Sequence, residues 1–274
     1  VWYSDPTWPN HPAIVKHLGL NARTYRYFDA KTCEVDAAAL LEDLGNVGAD
    51  DVVILHGCCH NPTGANPDAA TWDAITDLLL AKGATPFIDF AYQGFGDGLE
   101  ADALPVRKMA ARVPQMLVAA SCSKNFGLYR DRVGVALAIA GAPGDIPVIK
   151  GALASLNRLN FSFPPDHGAK LVEIILNDAA LRADWEAELE EMRSRMLGLR
   201  GDMADALKRA TNSDRFEFFR HHRGMFSRLG LSPDAVKALR DDTGIYIVGD
   251  SRVNVAGLPS DQVDTLARAI AERA

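Results

Sequence analysis

One segment of the chain carries the residue types for covalent amine chemistry beside a phosphate. Lys124 follows Ser121 and Ser123 at the end of an apolar run, and Arg132 lies a short way further on. A lysine amine that condenses with an aldehyde must be partly desolvated or near positive charge, so that some of it is neutral and nucleophilic. Hydroxyls and a guanidinium fork suit phosphate oxygens. Ser121, Ser123 and Arg132 therefore read as phosphate donors around a reactive amine. Read without its surroundings, Lys124 is equally an ordinary loop lysine.

Two further stretches supply partners for such a group. The run Thr85 to Phe90 is short and apolar and carries Asp89 near its end, with Tyr92 shortly after. A carboxylate can hold the proton of a pyridinium nitrogen, which lets the ring accept electrons when a Cα proton leaves. Tyr92 could donate to a phenolate oxygen of the same ring. An aspartate ending a strand is also a common turn former, and that alternative stays open for Asp89. The run Val52 to His56 leads through Gly57, Cys58, Cys59 and His60 into Asn61-Pro62-Thr63-Gly64, a tight turn that presents Asn61. The Cys/His cluster matches none of the usual zinc frameworks, and adjacent side chains on extended backbone face opposite ways. Buried cysteines acting as small hydrophobes are the better reading, and no metal is expected.

The elements that must position these groups form an α/β pattern. Strands near 52–56, 86–90, 115–120 and 133–139, separated by helical stretches, predict a three-layer domain with a mainly parallel sheet. Lys124 and Asp89 then fall at strand ends, where such folds place their ligands. Asn66 is expected to cap a helix over 69–81, with Pro67 at its first position. Shorter helices are expected at 104–112 and 166–177. The stretch from about Ala180 to Ala210 has apolar residues at helical spacing and opposite charges three or four apart, which predicts one long helix. Strands at Phe216–Phe219, Ile245–Val248 and Arg252–Val255, with helices from Ser232-Pro233 and after Ser260, predict a small α+β domain. The expected division is a large domain over 1–190 and a C-terminal small domain over 191–274.

From Val1-Trp2-Tyr3 through Trp8, Asn61, Asp89, Tyr92 and Lys124 to Ser251-Arg252-Val253-Asn254, the chain resembles the class I aspartate and aromatic amino acid aminotransferases of fold type I. The resemblance covers nearly all of its length. It implies pyridoxal 5′-phosphate held covalently as a Schiff base on Lys124, with Trp8 stacked on the pyridine ring. Asp89 would hold the pyridine nitrogen, with His56 supporting it, and Tyr92 and Asn61 would meet the phenolate oxygen. Ser121, Ser123 and Arg132 would bind the phosphate. Arg252 would clamp the substrate α-carboxylate, assisted by Asn61, and Phe226 would wall the pocket. Arg158 would reach across a homodimer to a side-chain carboxylate. Phe163 and Cys122 depart from the residues common at those positions, which bears on the substrate side chain.

The implied reaction is ping-pong transamination between an aspartate, glutamate or aromatic L-amino acid and a 2-oxo acid such as 2-oxoglutarate. The alternatives are another pyridoxal-phosphate lyase or decarboxylase on the same scaffold, or an inactive fragment. The last arises because the resemblance also implies a lost N-terminal third, including part of the phosphate site, which would leave the large domain incomplete and expose sheet and interface surface.

Composition agrees with such an enzyme. The 274 residues are 48% hydrophobic and 24% charged, enough to bury a large core. A formal charge of -7 argues against a nucleic-acid surface. The apolar runs are too short to span a membrane. Four cysteines, two of them adjacent, form no secreted disulfide framework, so a cytoplasmic setting is expected. Trp72 and Trp185 read as packing residues.

Overall fold

The structure, a computed structural model, describes residues 1–273. The chain begins with β1 (Trp2–Asp5), α1 (Asn10–His17), β2 (Arg23–Arg26), the small hairpin of β3 (Phe28–Asp29) and β4 (Glu34–Val35), and α2 (Ala37–Leu44). β5 (Val52–His56), α3 (Ala69–Lys82), β6 (Thr85–Phe90), α4 (Leu99–Ala110), β7 (Met116–Ser121) and β8 (Gly134–Ile139) follow. The remainder comprises α5 (Ile146–Phe161), α6 (His167–Asn177), α7 (Ala179–Thr211), α8 (Phe218–His221), β9 (Phe226–Arg228), α9 (Pro233–Thr243), β10 (Arg252–Asn254) and α10 (Val263–Ala271).

Six strands form one sheet in the order β2-β1-β5-β6-β7-β8, parallel throughout except for the antiparallel β7–β8 pair. β5 is buried along nearly its whole length, as the continuous run Val-Val-Ile-Leu requires of a strand covered on both faces. With helices on its faces, this is the expected three-layer α/β domain. Its hydrophobic core joins Leu55, Ile88 and Met116 of the sheet to Leu40, Ile75, Leu79 and Met109 of the helices. A second core gathers the far half of α7 (Leu199, Met203, Leu207) with Phe216, Phe219, Leu239, Val253 and Ile270. α7, 33 residues long, thus runs from one core into the other, with Leu189 and Met196 in the first.

Several local expectations change. α3 is capped by Asp68, whose side chain accepts from Thr71 N at 2.7 Å, and stops at Gly83 with φ +70°. Asn66 instead accepts from His60 N (3.1 Å) and braces the loop that carries Asn61. Phe216–Phe219 is expected to be a strand, yet the segment is a turn leading into α8, an arrangement that buries all three aromatic rings in the second core. Ile245–Val248 is irregular. The strand that pairs with β10 is β9, in the register Arg252↔Arg228, Val253↔Ser227 and Asn254↔Phe226.

Val135 and Leu137 on β8 are 51% and 52% exposed, and Val148, Leu159 and Phe163 on and after α5 are 72–80% exposed. These side chains make an exposed apolar surface on β8 and α5. Among the described residues no helix is long and apolar enough to cross a membrane.

Candidate active site

Strand register builds the site. β5 and β6 pair His56 with Asp89, and β6 and β7 pair Asp89 with Ala119, so three strands end level at their C-terminal edge. The loops that leave this edge carry Asn61, Tyr92 and Lys124. A cleft of about 320 Å³ opens there, and Trp8, His56, Asn61, Asp89, Tyr92, Ser121, Ser123, Lys124 and Arg132 all line it. Crevices outside the carboxyl ends of parallel strands are the usual ligand sites of open α/β sheets.

Asp89 is the best-supported acid. Its Oδ2 lies 3.0 Å from His11 Nε2, and Thr7 Oγ1 lies 2.8 Å from His11 Nδ1. Burial pushes the Asp89 carboxyl up. The hydrogen bond from His11 and the charges of His56, His11 and Lys124 outweigh it, and the net shift is downward. Asp89 is thus a carboxylate at neutral pH. His56 sits beside this pair, its ring centre 5.2 Å from that of His11 and 4.2 Å from that of His60, and neither of its buried ring nitrogens has a partner. His60 is held by Ser4 (2.9 Å) and Thr63 (2.8 Å) and stacks on Tyr27.

These buried imidazoles make the fold acid-sensitive. Burial lowers the His56 pKa from 6.5 to about 4, against a smaller opposing effect of Asp89. Burial likewise takes His222 down to about 3. An unfolded histidine takes its proton near 6.5, whereas the folded one resists until about 4. In that window the unfolded state binds more protons, so stability is present above 6.5 and falls as pH drops toward 4. His56 alone accounts for about 3 kcal/mol of this loss. Urea midpoints measured from about pH 7 down to about pH 5 are expected to fall, and to fall less in His56→Phe. Equal midpoints for the unmodified chain across that range would contradict the buried neutral imidazoles.

Lys124 is half-buried, with Nζ 4.8 Å from the centre of the Tyr92 ring. Burial lowers its pKa and Arg132 lowers it further, against an opposing pull from Asp89. A larger fraction of the amine is therefore neutral than for a surface lysine. Burial, with Asp89 and Cys59 nearby, raises the Tyr92 hydroxyl, which stays protonated and can donate. Ser121 Oγ accepts from Ser123 N at 3.1 Å, and Arg132 reaches back to Tyr129 O at 2.8 Å.

Across the cleft the Asn61 turn meets β9 and β10. Arg252 Nη1 donates to Asn61 Oδ1 at 2.9 Å, and the Arg252 guanidinium lies 4.8 Å over the Phe226 ring. Phe226 in turn meets Tyr92 edge-on at 6.4 Å between centres. Gly64 makes the approach possible. It has φ +77°, and a Cβ there would fall 2.3 Å from Phe226 O.

Residues 1–270 match the family of class I and II aminotransferases. The chain belongs to this family. It is 54% identical over 272 residues to an aromatic-amino-acid aminotransferase of Paracoccus denitrificans, covering 99% of this chain and 69% of that protein. It is 43% identical over 270 residues to an aspartate aminotransferase of Escherichia coli (strain K12), covering 98% of this chain and 68% of the relative. The solved aromatic-amino-acid aminotransferase from Burkholderia pseudomallei, covalently bound to pyridoxal phosphate, superposes with a TM-score of 0.95 at 40% identity, covering 99% of this chain and 68% of the other.

The donor set of this aminotransferase chain fits pyridoxal phosphate. The cleft offers a partly desolvated amine, an ionised carboxylate for a ring nitrogen, a protonated tyrosine, and two hydroxyls with a guanidinium for a phosphate. Arg158 lies apart from the cleft in the single chain, on exposed α5, bonded to Ser162 and 5.6 Å over the Phe163 ring.

Sequence reasoning did not single out His11, the hydrogen-bond partner of Asp89. The available signal was its spacing: three residues after Trp8, at the start of α1, it returns to the same side of the chain. The two cysteines also approach more closely than an extended run allows. Cys59 has φ +51°, and donor atoms of Cys58, Cys59 and Asp102 all lie within 4.8 Å of one another. Asp102 already accepts from the main-chain nitrogens of Gly94, Gly96 and Asp97.

Proposed function

We propose that this protein transfers the amino group of an aromatic or dicarboxylic L-amino acid to a 2-oxo acid such as 2-oxoglutarate, with pyridoxal 5′-phosphate held on Lys124. The observation that carries the reading is the convergence of Lys124, the ionised Asp89 bonded to His11, and Asn61 in one cleft, with Arg252 donating to Asn61. When bound, pyridoxal phosphate supplies a conjugated sink for the charge left as a Cα–H bond breaks.

The residues divide the remaining work. Asp89 would hold a proton at the ring nitrogen, oriented and kept ionised by its bond to His11, with His56 packed beside the pair. Trp8 would cover one face of the ring, and Tyr92 and Asn61 would donate to its phenolic oxygen. Ser121, Ser123 and Arg132 bind the phosphate. Arg252 and Asn61 hold the α-carboxylate over Phe226, which sets the direction of the Cα–H bond. Lys124 Nζ, freed of the cofactor, would take the substrate's Cα proton as a base and give it up again as an acid, both roles in one amine. Residues 1–190 act as the cofactor domain and 191–274 as the small domain, joined through α7. The protein works as a homodimer in the cytoplasm. The apolar, exposed α5 supports the first statement, and four free cysteines support the second.

The test is a visible spectrum of the chain with pyridoxal phosphate, then borohydride reduction and peptide mapping. A reduced adduct on Lys124 together with amino-acid-dependent bleaching of the band supports the reading. An adduct spread over surface lysines in a folded sample contradicts it.

Arg158, as the contact to a side-chain carboxylate in the partner's site, has a selective signature. Arg158→Ala in the dimeric enzyme is expected to lose on the order of 10²-fold in kcat/KM for aspartate, and little for phenylalanine. Unchanged aspartate kinetics would remove Arg158 from the site.

A further inference from the structure

Arg200 lies in the far half of α7 and is 1% exposed. Its Nη2 donates to Gly224 O (2.7 Å) and Phe226 O (2.8 Å), and its Nη1 donates to Ser227 Oγ (2.7 Å) and, at 3.5 Å, to Phe219 O. Among the described residues the buried Nε has no partner. Among the described residues no side-chain carboxylate pairs with this guanidinium. A buried cation satisfied only by carbonyls and a hydroxyl is costly to desolvate, so a purely packing role is better served by an apolar side chain.

The carbonyls it holds belong to the segment that carries the substrate clamp. Phe226 pairs with Asn254 and Arg228 with Arg252, so the position of Arg252 follows that of β9. The same segment is bonded to the Asn61 turn: Arg223 N donates to Gly64 O (2.8 Å) and Arg228 N to Thr63 O (3.2 Å). Phe226 O is thus held between the Arg200 fork on one side and the bare Cα of Gly64 on the other. A relay continues the restraint. The Ser227 hydroxyl accepts from Arg200 and lies 3.0 Å from His222 Nδ1, and His222 Nε2 donates to Cys33 O at 2.8 Å. With Nε2 as donor, a neutral His222 must accept the Ser227 proton at Nδ1, which fixes every hydrogen bond in the relay in one direction.

We propose that Arg200 is a positioning residue for recognition of the substrate α-carboxylate: its fork on Gly224 O, Phe226 O and Ser227 Oγ sets where Arg252 and Asn61 meet. This rests on the aminotransferase reading of the cleft. The role needs a planar fork. A lysine ammonium at the same place is a point donor and cannot span the two carbonyls and the hydroxyl together.

The test uses the holoenzyme loaded with pyridoxal phosphate and the variant Arg200→Lys. Three quantities are compared: single-turnover rates with L-phenylalanine, the same rates with 2-phenylethylamine, which lacks the carboxylate, and the calorimetric Kd of 3-phenylpropionate. The expected result is a loss of about 10-fold or more in kcat/KM for phenylalanine, carried mainly by KM, and a similar weakening of 3-phenylpropionate. The rate with 2-phenylethylamine should stay within about 2-fold. Equal losses for amine and amino acid would mean a general structural role and overturn the proposal, as would no loss for either. If Arg200→Lys does not fold, Ser227→Ala removes one acceptor of the fork and is expected to give the same selectivity at about 3-fold, and its absence there counts equally against the role. A parent protein that loads cofactor but leaves it unchanged by any amino acid would overturn the aminotransferase reading, and this inference with it.

Discussion

Lys124→Ala is expected to lower transamination by at least about 10⁴-fold, because in the proposed reaction one side chain serves as both the covalent anchor and the proton carrier. Among the described residues no second lysine lines the cleft, and the guanidinium groups there, Arg132 and Arg252, are engaged with Tyr129 O and Asn61 Oδ1. The loss should fall on the chemical step. The cradle of Asp89, Tyr92, Ser121, Ser123 and Arg132 is untouched, so pyridoxal phosphate should still bind non-covalently and borohydride should no longer attach it to this segment. An added small primary amine should restore part of the rate, since only a nucleophilic nitrogen is missing. A variant that keeps more than about a tenth of the parent rate would remove Lys124 from the chemistry.

What could be read from the sequence followed from how directly each feature depends on local pattern. Asp89, Asn61 and Lys124 each lie at or just beyond an apolar strand, and a parallel sheet aligns such ends without needing distant information. The α7 pattern was equally plain, because apolar residues at helical spacing survive over many turns. His11 was not legible in this way. It belongs to an eight-residue helix, and its bond to Asp89 exists only because β1 pairs beside β5 and brings α1 over the sheet edge. Arg200 was hidden for a different reason. Among the charges of α7 it reads as a solvated residue, yet its place four residues after Met196 and three before Met203 is on the buried side. The Phe216–Phe219 error shows the limit of short alternating runs, where strand and helical turn bury the same rings.

Asp89→Asn is expected to reduce kcat by about 10² to 10³-fold while leaving the KM for the amino acid nearly unchanged. The carboxylate is ionised through its bond to His11 and the neighbouring charges, and it lines the same cleft as Trp8 and Lys124. A carboxylate there stabilises a protonated ring nitrogen, whereas a carboxamide of the same shape carries no charge to do so. The proton on the ring is what makes the electron sink effective, so its loss is felt as Cα–H breaks and little before. A cofactor analogue with carbon in place of the ring nitrogen separates this role from packing. With the natural cofactor the variant should be slow, and with the analogue the variant and the parent should be equally slow, because the analogue has no nitrogen for Asp89 to serve. A variant that slows the analogue as much as it slows the natural cofactor would mean that Asp89 acts through the shape of the site. The His11 bond gives the same argument a second handle. His11→Phe leaves the carboxylate in place but removes a hydrogen bond that holds its pKa down, so it should produce a smaller loss in the same direction, larger at acidic pH than at neutral pH.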